Sequence, residues 1–353
     1  MPDLVVAGAG MAGLAAAAEA RSRGADVVLF EKGDRAGGSM LLSSGVIWRH
    51  ATLDAFRDDC PGGEPALQRL VFERLDGDVD WLESLGATVT ERETGNPRTR
   101  GVRFGTTALM GALVRAAGEP RLREPLRELP DGVPVVLATG GFPAGRNLLR
   151  EHVTPEADDV MVRAAPWSTG DGLSLGLEAG ATTSVGLDEI YGRNMPAPPA
   201  RVAEADFVRL AQLYARHATV ANSQGETHDV TTWSEIDVVQ WTARQPRARA
   251  WFTVGEDALR ERVRDRTVND MVEVAEAAGA PVRREGGSVT VETVAGVTST
   301  LGGLRVDENA RAAPAVYAAG ADAGGIATGG YSSGLAAALV LGRVAAGAAL
   351  EGR

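Results

Sequence analysis

An α/β fold built on a parallel sheet is what this sequence predicts, and three observations carry the prediction. Strand, glycine-rich turn, Ala-rich helix and second strand follow one another within residues 4 to 32. Two later apolar runs, in residues 133 to 142 and 314 to 325, also end in glycines, as strands entering a shared sheet do. The 353 residues are 44% hydrophobic and 24% charged, enough to bury a sizeable core in two domains or in one domain with a large insertion.

The first stretch reads "LVVAGAGMAGLAAAAEARSRGADVVLFEK". Leu4 to Ala7 is a short apolar strand, Met11 to Ser22 has helical composition, and Asp26 to Phe30 is β-branched and apolar again. Gly8 permits the tight turn, Gly10 lets a pyrophosphate approach the backbone, and Gly13 lets helix and strand pack closely. Met11 and Ala12 open the helix, whose free N–H groups and positive dipole end suit phosphates. Glu31 is placed to accept from a ribose hydroxyl, with Lys32 beside it. Together these mark a Rossmann-like nucleotide-binding unit.

A second signal follows in "EKGDRAGGSMLLSSGVIW". A glycine pair shortly after the acid is expected of proteins that bind FAD more than of those that bind NAD, because the loop wraps the pyrophosphate and ribityl chain. Gly38, Ser39, Ser43, Ser44 and Gly45 supply backbone donors and hydroxyls there.

Further on, residues 66 to 90 read as a helix closed by Gly86, and Thr107 to Ala117 as another. "VPVVLATGGF" is a strand whose end carries Thr139 and Gly140. "STGDGLSLGLEAGA" turns at Asp171 into a helix capped by Gly180. Residues 191 to 290 change texture, with Trp233, Trp241 and Trp251 among many arginines, and read as a separate lid. "PAVYAAGADAGG" places Gly320 and Asp322 at a last strand end, and "TGGYSSGLAAALVLGRVAAG" opens a final helix at Ser333, Gly334 and Leu335.

Bulk properties narrow the function classes. Net charge is −11 and the isoelectric point near 5.0, which argues against general nucleic-acid or anionic-membrane binding. Cys60 is the one cysteine, so neither an intrachain disulfide nor a cysteine-based metal site is expected. Leu335 to Leu350 is short and carries Arg343, and it reads as a core helix rather than a membrane span. Pro2 and Asp3 lead straight into the first strand, so no leader and a cytoplasmic location are expected.

"GAGMAG", "ATGGF" and "YAAGADAGG", in that order, resemble the fumarate reductase and succinate dehydrogenase flavoprotein superfamily, which includes the 3-ketosteroid dehydrogenases. "STGDGLSLGLEAGA" is similar to its TGDG–helix–AGA segment, and "TLGGLRVDENARAAPAVYAAG" to its C-terminal approach to the flavin. The resemblance implies an FAD domain formed by residues 1–190 and 296–353, with an α+β capping domain, 191–295, inserted between them. It also implies a small-molecule substrate on the flavin ring, and hydride exchange at a carbon–carbon bond next to a carbonyl. The electron partner stays open.

Departures from the family pattern shape the expectation further. The "SMLLSSG" loop lacks the histidine that tethers flavin in some members, so non-covalent FAD is expected. Met195-Pro196-Ala197 stands where fumarate reductases have His-Pro-Thr, and "ATGGYSSG" lacks their arginine. "GETHDVT" replaces the family's G-E-R-F-x-x-E, which puts His228 at an aromatic position. Fumarate and succinate are therefore not expected as substrates. Asp322 is expected to take over ribityl contacts from the neighbouring family position, here Ala321.

Four residues are candidates for the chemistry. Tyr331 follows a glycine pair beside the expected flavin; its phenol either bonds a carbonyl or packs as an aromatic. Arg260 resembles the family's proton-donating arginine, against the reading of a solvated arginine. Tyr191 and Arg193 open the lid and either line a pocket or lie on the surface. His50, His152 and His217 are too scattered to suggest a metal site, and Cys60 lacks a histidine partner in motif. The expected function is an FAD-dependent dehydrogenase or ene-reductase. An oxidase or monooxygenase using O₂ and a non-catalytic flavoprotein are the alternatives.

Overall fold

The computed structural model of the protein describes residues 1 to 352. The chain divides into two compact units, one of residues 1–145, 165–189 and 299–353, the other of residues 146–164 and 190–298.

In the first unit, the sheet forms around Leu4–Ala7, four buried residues with two valines at the centre. Its parallel neighbours are Val27–Glu31 on one side and Val135–Leu137 on the other. Val316–Ala318 adds in parallel beyond Val135–Leu137, and short strands Arg121–Leu122 and Arg311–Ala313 finish the two edges. Both inner strands are short, fully buried apolar runs, as expected where helices cover both faces of a parallel sheet. A smaller antiparallel sheet, in the order Val46–His50, Thr99–Phe104, Val89–Glu91, carries the helices Leu53–Asp59 and Pro65–Ser84.

The helix Met11–Ser22 covers the central strand and lies against the last helix, Gly334–Glu351. Alanine and glycine on both surfaces allow this: a side chain on Gly342 would collide with the backbone of Ala12. The last helix is 18 residues and, by length and composition alone, apolar enough to cross a membrane, so shortness does not set it apart from a span as expected from the sequence. In the folded unit more than half of it is buried, and its arginine is occupied. Arg343 bonds Glu19 of the first helix at 2.8 to 2.9 Å, bonds Asp78 of Pro65–Ser84, and lies 4.3 Å over the Trp81 ring. Burial raises the Glu19 carboxyl, but Arg343 and Arg23 outweigh it and hold Glu19 below the usual carboxylate range. Burial wins at Asp78, which is pushed up.

A seven-stranded sheet organises the second unit. Its main path runs Thr227–His228, Thr219–Ala221, Arg249–Gly255, Ser288–Thr300, Val282–Glu285, and Ile190–Pro196 and Met161–Val162 also pair with the long strand Ser288–Thr300. The helix Val268–Ala277 starts at a capping box between Thr267 and Asp270 and packs Met271 and Val272 into a core with Tyr214, Phe252 and Val291. Asn194 makes a buried polar bridge, donating at 2.9 Å to both Thr242 and Thr293. Residues 146–164, expected with the first unit, belong here. Met161 and Val162 pair in parallel with Gly296 and Val297, and Thr154 Oγ1 donates to the Ala243 carbonyl at 2.6 Å.

Arg343→Met would leave buried Asp78 with only the more distant Arg74 at 3.8 Å and Glu19 with only Arg23, and stability is expected to fall by about 3 kcal/mol, the lower end for breaking a buried pair. Urea unfolding followed by far-UV circular dichroism checks this; an unchanged midpoint would show that the buried ion cluster contributes nothing.

Candidate functional site

The expected nucleotide-binding residues gather at the carboxyl ends of the parallel strands in the first unit. After Ala7 the chain turns at Gly8, whose φ of 101° suits glycine alone and whose missing side chain leaves room for the Ala138 carbonyl. Gly10 caps the first helix in extended conformation, with no side-chain cap. The helical ladder begins where Leu14 donates to Gly10 at 2.9 Å, so the N–H groups of Met11, Ala12 and Gly13 have no helical acceptor. Nothing lies within 4 Å of where a Gly10 side chain would stand. Three free donors, a helix dipole and open space make a seat for a phosphate.

Glu31 sits at the end of the neighbouring strand, 4% exposed. Its Oε2 accepts from Ala9 N and its Oε1 from Gly33 N, both at 2.7 Å. A carboxylate has about four lone-pair sites, so this one is aimed by two backbone donors and keeps capacity for hydroxyls. Lys32, the chain's sole lysine, turns the other way, to Asp171 at 2.9 Å and to Thr169 Oγ1 at 2.7 Å. A small cleft opens between them, lined by Gly8, Phe30, Glu31, Thr139, Trp167 and the segment Glu124 to Leu126. Trp167 lies flush on Gly33, and Arg35 stacks on its ring at 5.1 Å.

The glycine pair after the acid reaches the same place. A side chain on Gly38 would crowd the Gly10 Cα at 3.3 Å, and Ser39 Oγ accepts from Ala165 N at 3.1 Å. Ser43 is used internally, donating to Met40 O and accepting from Gly45 N. Gly45 packs on Phe104 and is buried, whereas Ser44 is exposed.

Asp322 joins the two inner strands. Fully buried, it accepts hydrogen bonds from Thr139 N, from Thr139 Oγ1 at 3.1 Å and from Gly141 N at 3.1 Å. Thr139 Oγ1 in turn accepts from Gly172 N at 3.0 Å, and Gly172 fits only because a side chain would strike the Asp322 carboxylate. Burial pushes the Asp322 carboxyl up from its ordinary value, against the pull of those three donors. The carboxylate expected to face a ribityl chain is thus turned onto the protein's own backbone, and it aligns Thr139, Gly140 and Asp171 with the strand end at Gly320. Gly320 itself is seated against Ala12 of the first helix.

Tyr331 is half-buried, its ring 5.2 Å from Trp48. Ser333 caps the last helix through its Oγ, which accepts from Ala336 N at 3.3 Å. Gly334 and Leu335 begin that helix, and Gly334 is exposed with open space around its Cα. The remaining candidates lie in the second unit. Arg193 is buried rather than on the surface, donates to Ser234 O at 2.9 Å and stacks on Tyr191 at 5.2 Å. Arg260 ends the turn Glu256–Arg260, exposed, beside an open groove with Thr267 and the Gly286–Gly287 turn. His228 pairs with Asp237 at 3.0 Å and stacks on Trp241, a structural role for a lone histidine. Among the described residues there is no cluster of metal-ligating side chains.

Several site residues were not read from the sequence. Trp167 stands two residues before the TGDG motif and Thr169 is the motif's first residue, and that position is the signal that points to them. Phe30 and the segment Glu124 to Leu126 carry no motif, and only the sheet brings them to the cleft.

The model of the FAD binding domain family matches residues 3–127 and 128–335. A fumarate reductase (cytochrome) of Shewanella frigidimarina is 33% identical over 105 residues, a quarter of this chain, and this chain spans only 18% of it. The 3-ketosteroid Δ4-(5α)-dehydrogenase of Rhodococcus jostii RHA1, solved with 4-androstene-3,17-dione, shares the fold at TM-score 0.70 and 20% identity, over 99% of this chain and 96% of that one. The 3-ketosteroid Δ1-dehydrogenase of Sterolibacterium denitrificans, solved with 1,4-androstadiene-3,17-dione, does so at 0.72 and 15%, over the whole of both chains. FAD is the cofactor these findings support, and the free helix N-terminus, the open Gly10 and the aimed Glu31 fit it.

Replacing Glu31 with Ala removes a charge-assisted acceptor and leaves the Ala9 and Gly33 N–H groups without it. FAD binding is expected to weaken by about 1.5–3 kcal/mol, roughly ten- to a hundredfold. Fluorescence titration of apoprotein with FAD gives the number; equal affinity would remove Glu31 from the site.

Proposed function

This chain belongs to the FAD binding domain family, and from that membership we propose that it is an FAD-dependent oxidoreductase acting at a carbon–carbon bond next to a carbonyl of a small organic substrate. The Rossmann-like first unit holds the cofactor. The observation that carries the reading is Tyr331, placed by Trp48 between a glycine pair and the N-terminus of the last helix. When bound, FAD supplies the two-electron chemistry, accepting or donating hydride at the flavin ring. The protein's part is to bind and orient the substrate and to meet the charge that develops on its carbonyl oxygen. A phenol O–H donates there, and the exposed first N–H groups of the last helix add donors of the same sense.

The ketone reading is favoured over a dicarboxylate by what stands at the corresponding positions. Met195 is buried and apolar where fumarate reductases have a histidine, and the Ala327 to Gly334 turn carries no arginine. A carboxylate buried without guanidinium or imidazolium partners is costly. Folds shared with two ketosteroid dehydrogenases support cyclic enones and saturated ketones as the first substrates to screen.

FAD is held without a covalent bond, because the loop Ser39 to Gly45 contains no histidine. Acid precipitation is expected to leave the flavin in the supernatant; a yellow pellet would contradict this.

Tyr331→Phe is expected to lower turnover by about 10²–10⁴-fold with FAD still bound, the usual contribution of a positioned proton donor. Steady-state assays against the substrate found by screening, run beside fumarate, check both halves of the proposal. Wild-type turnover by the variant would reduce Tyr331 to packing, and rapid fumarate reduction would overturn the ketone reading.

A further inference from the structure

Three rings form a column beneath Tyr331. Its ring lies 5.2 Å from Trp48, Trp48 meets His50 edge-on at 5.3 Å, and His50 stacks on Phe56 at 4.7 Å with an interplanar angle of 17°. Trp48 and His50 are two residues apart on one strand, so they share a face, and both are almost fully buried. Histidine is an unusual member of such a stack. Its ring is 0% exposed, and neither nitrogen makes a well-aligned hydrogen bond. Nε2 stands 3.3 Å from Asp59 Oδ2, within ion-pair range but misaligned.

A second route leads from the same pair to the same tyrosine. Gly330, the residue before Tyr331, is pressed against the backbone carbonyl of Asp59 so closely that no side chain fits. The turn is held there by Gly62 N donating to Thr328 O at 3.1 Å and by Gly329 N donating to Glu189 Oε2 at 2.7 Å. The ring of Tyr331 therefore rests on His50 through Trp48, and its backbone rests on Asp59 through Gly330.

We propose that His50 and Asp59 are positioning residues for Tyr331, acting through the Trp48 ring and the Gly330 turn. The inference rests on the reading of Tyr331 as the substrate-facing phenol. A neutral imidazole stacks as an aromatic between Trp48 and Phe56. A protonated one gains a strong attraction to Asp59, 3.3 Å away, and closing that gap turns the ring out of its contacts with both neighbours. Burial lowers the His50 pKa from its ordinary value, Asp59 opposes that shift, and Arg98, which lies 3.7 Å from Asp59 Oδ1, adds to it. Cys60 also borders the pair, and burial pushes its thiol up to about 12, so it stays neutral throughout. The sign follows. His50 is neutral at neutral pH, and protonation occurs only below its ordinary value of about 6.5, where native stability also falls because the unfolded chain takes up that proton first.

The test needs no substrate. The chain has four tyrosines, so the FAD-loaded full-length protein carrying 3-fluorotyrosine gives four fluorine resonances, assigned by single Tyr→Phe variants. On lowering the pH from 7.5 to 5, the Tyr331 resonance is expected to shift with a midpoint below about 6.5, matching that of the His50 ring followed by proton NMR. In His50→Phe the step should vanish, while the other three resonances and the bound FAD stay as in wild type. Asp59→Asn, which keeps the backbone carbonyl against Gly330, should move the midpoint to lower pH, and it serves as the deciding variant if His50→Phe does not fold. A Tyr331 resonance that stays flat, a step that survives in His50→Phe, or a midpoint unmoved in Asp59→Asn overturns the inference. Turnover by Tyr331→Phe reports separately on the role of the phenol, so the two readings fail independently.

Discussion

The candidate site depends on one buried carboxylate. Asp322 has no solvent exposure; it stands after the strand Val316–Ala318 and takes all three of its donors, Thr139 N, Thr139 Oγ1 and Gly141 N, from the end of the neighbouring strand Val135–Leu137. Residues 139 and 322 are far apart in sequence, and nothing local brings them together. Leaving the Thr139 and Gly141 N–H groups without an acceptor would cost more than their bonds contribute, since an unmet buried donor carries its full desolvation penalty. The turn geometry on both sides, and through Thr139 the start of the Asp171 helix, is therefore fixed together.

Around that clamp, small residues do the spatial work. The turn at Gly8, the open Cα of Gly10 and the close seat of Gly342 on Ala12 each remove a side chain where backbone must approach backbone or ligand. The result is a helix N-terminus with three N–H groups that have no helical acceptor, and beside it a glutamate already aimed by two backbone donors. Such preorganisation lowers the cost of binding, because the polar groups need not reorder when a charged dinucleotide arrives.

The two arginines singled out in the second unit show how differently one residue type is used. Arg193 is buried, engaged by a backbone carbonyl and a tyrosine ring, and so has little freedom. Arg260 is exposed at the end of a short turn. Sequence spacing alone assigns them comparable promise, since neither burial nor partner is encoded within a few residues of either.

What the sequence by itself determined is the local machinery. Strand Leu4–Ala7, helix Met11–Ser22 and the glycine turn between them are legible because β-branched runs, alanine and glycine act through near-neighbour sterics. The helices ending before Gly86 and Gly180 are legible for the same reason: glycine alone takes the left-handed turn there without strain. Only the tertiary structure decided the rest. It assigned residues 146–164 to the second unit through pairing with Gly296 and Val297, and turned Asp322 inward. It gave Lys32 to Asp171 and Thr169, brought Trp167 onto Gly33, and stacked His50 and Trp48 beneath Tyr331. Each of these joins residues distant in the chain, and such contacts follow from how sheets order their strands and how buried polar atoms find partners, which no local pattern records.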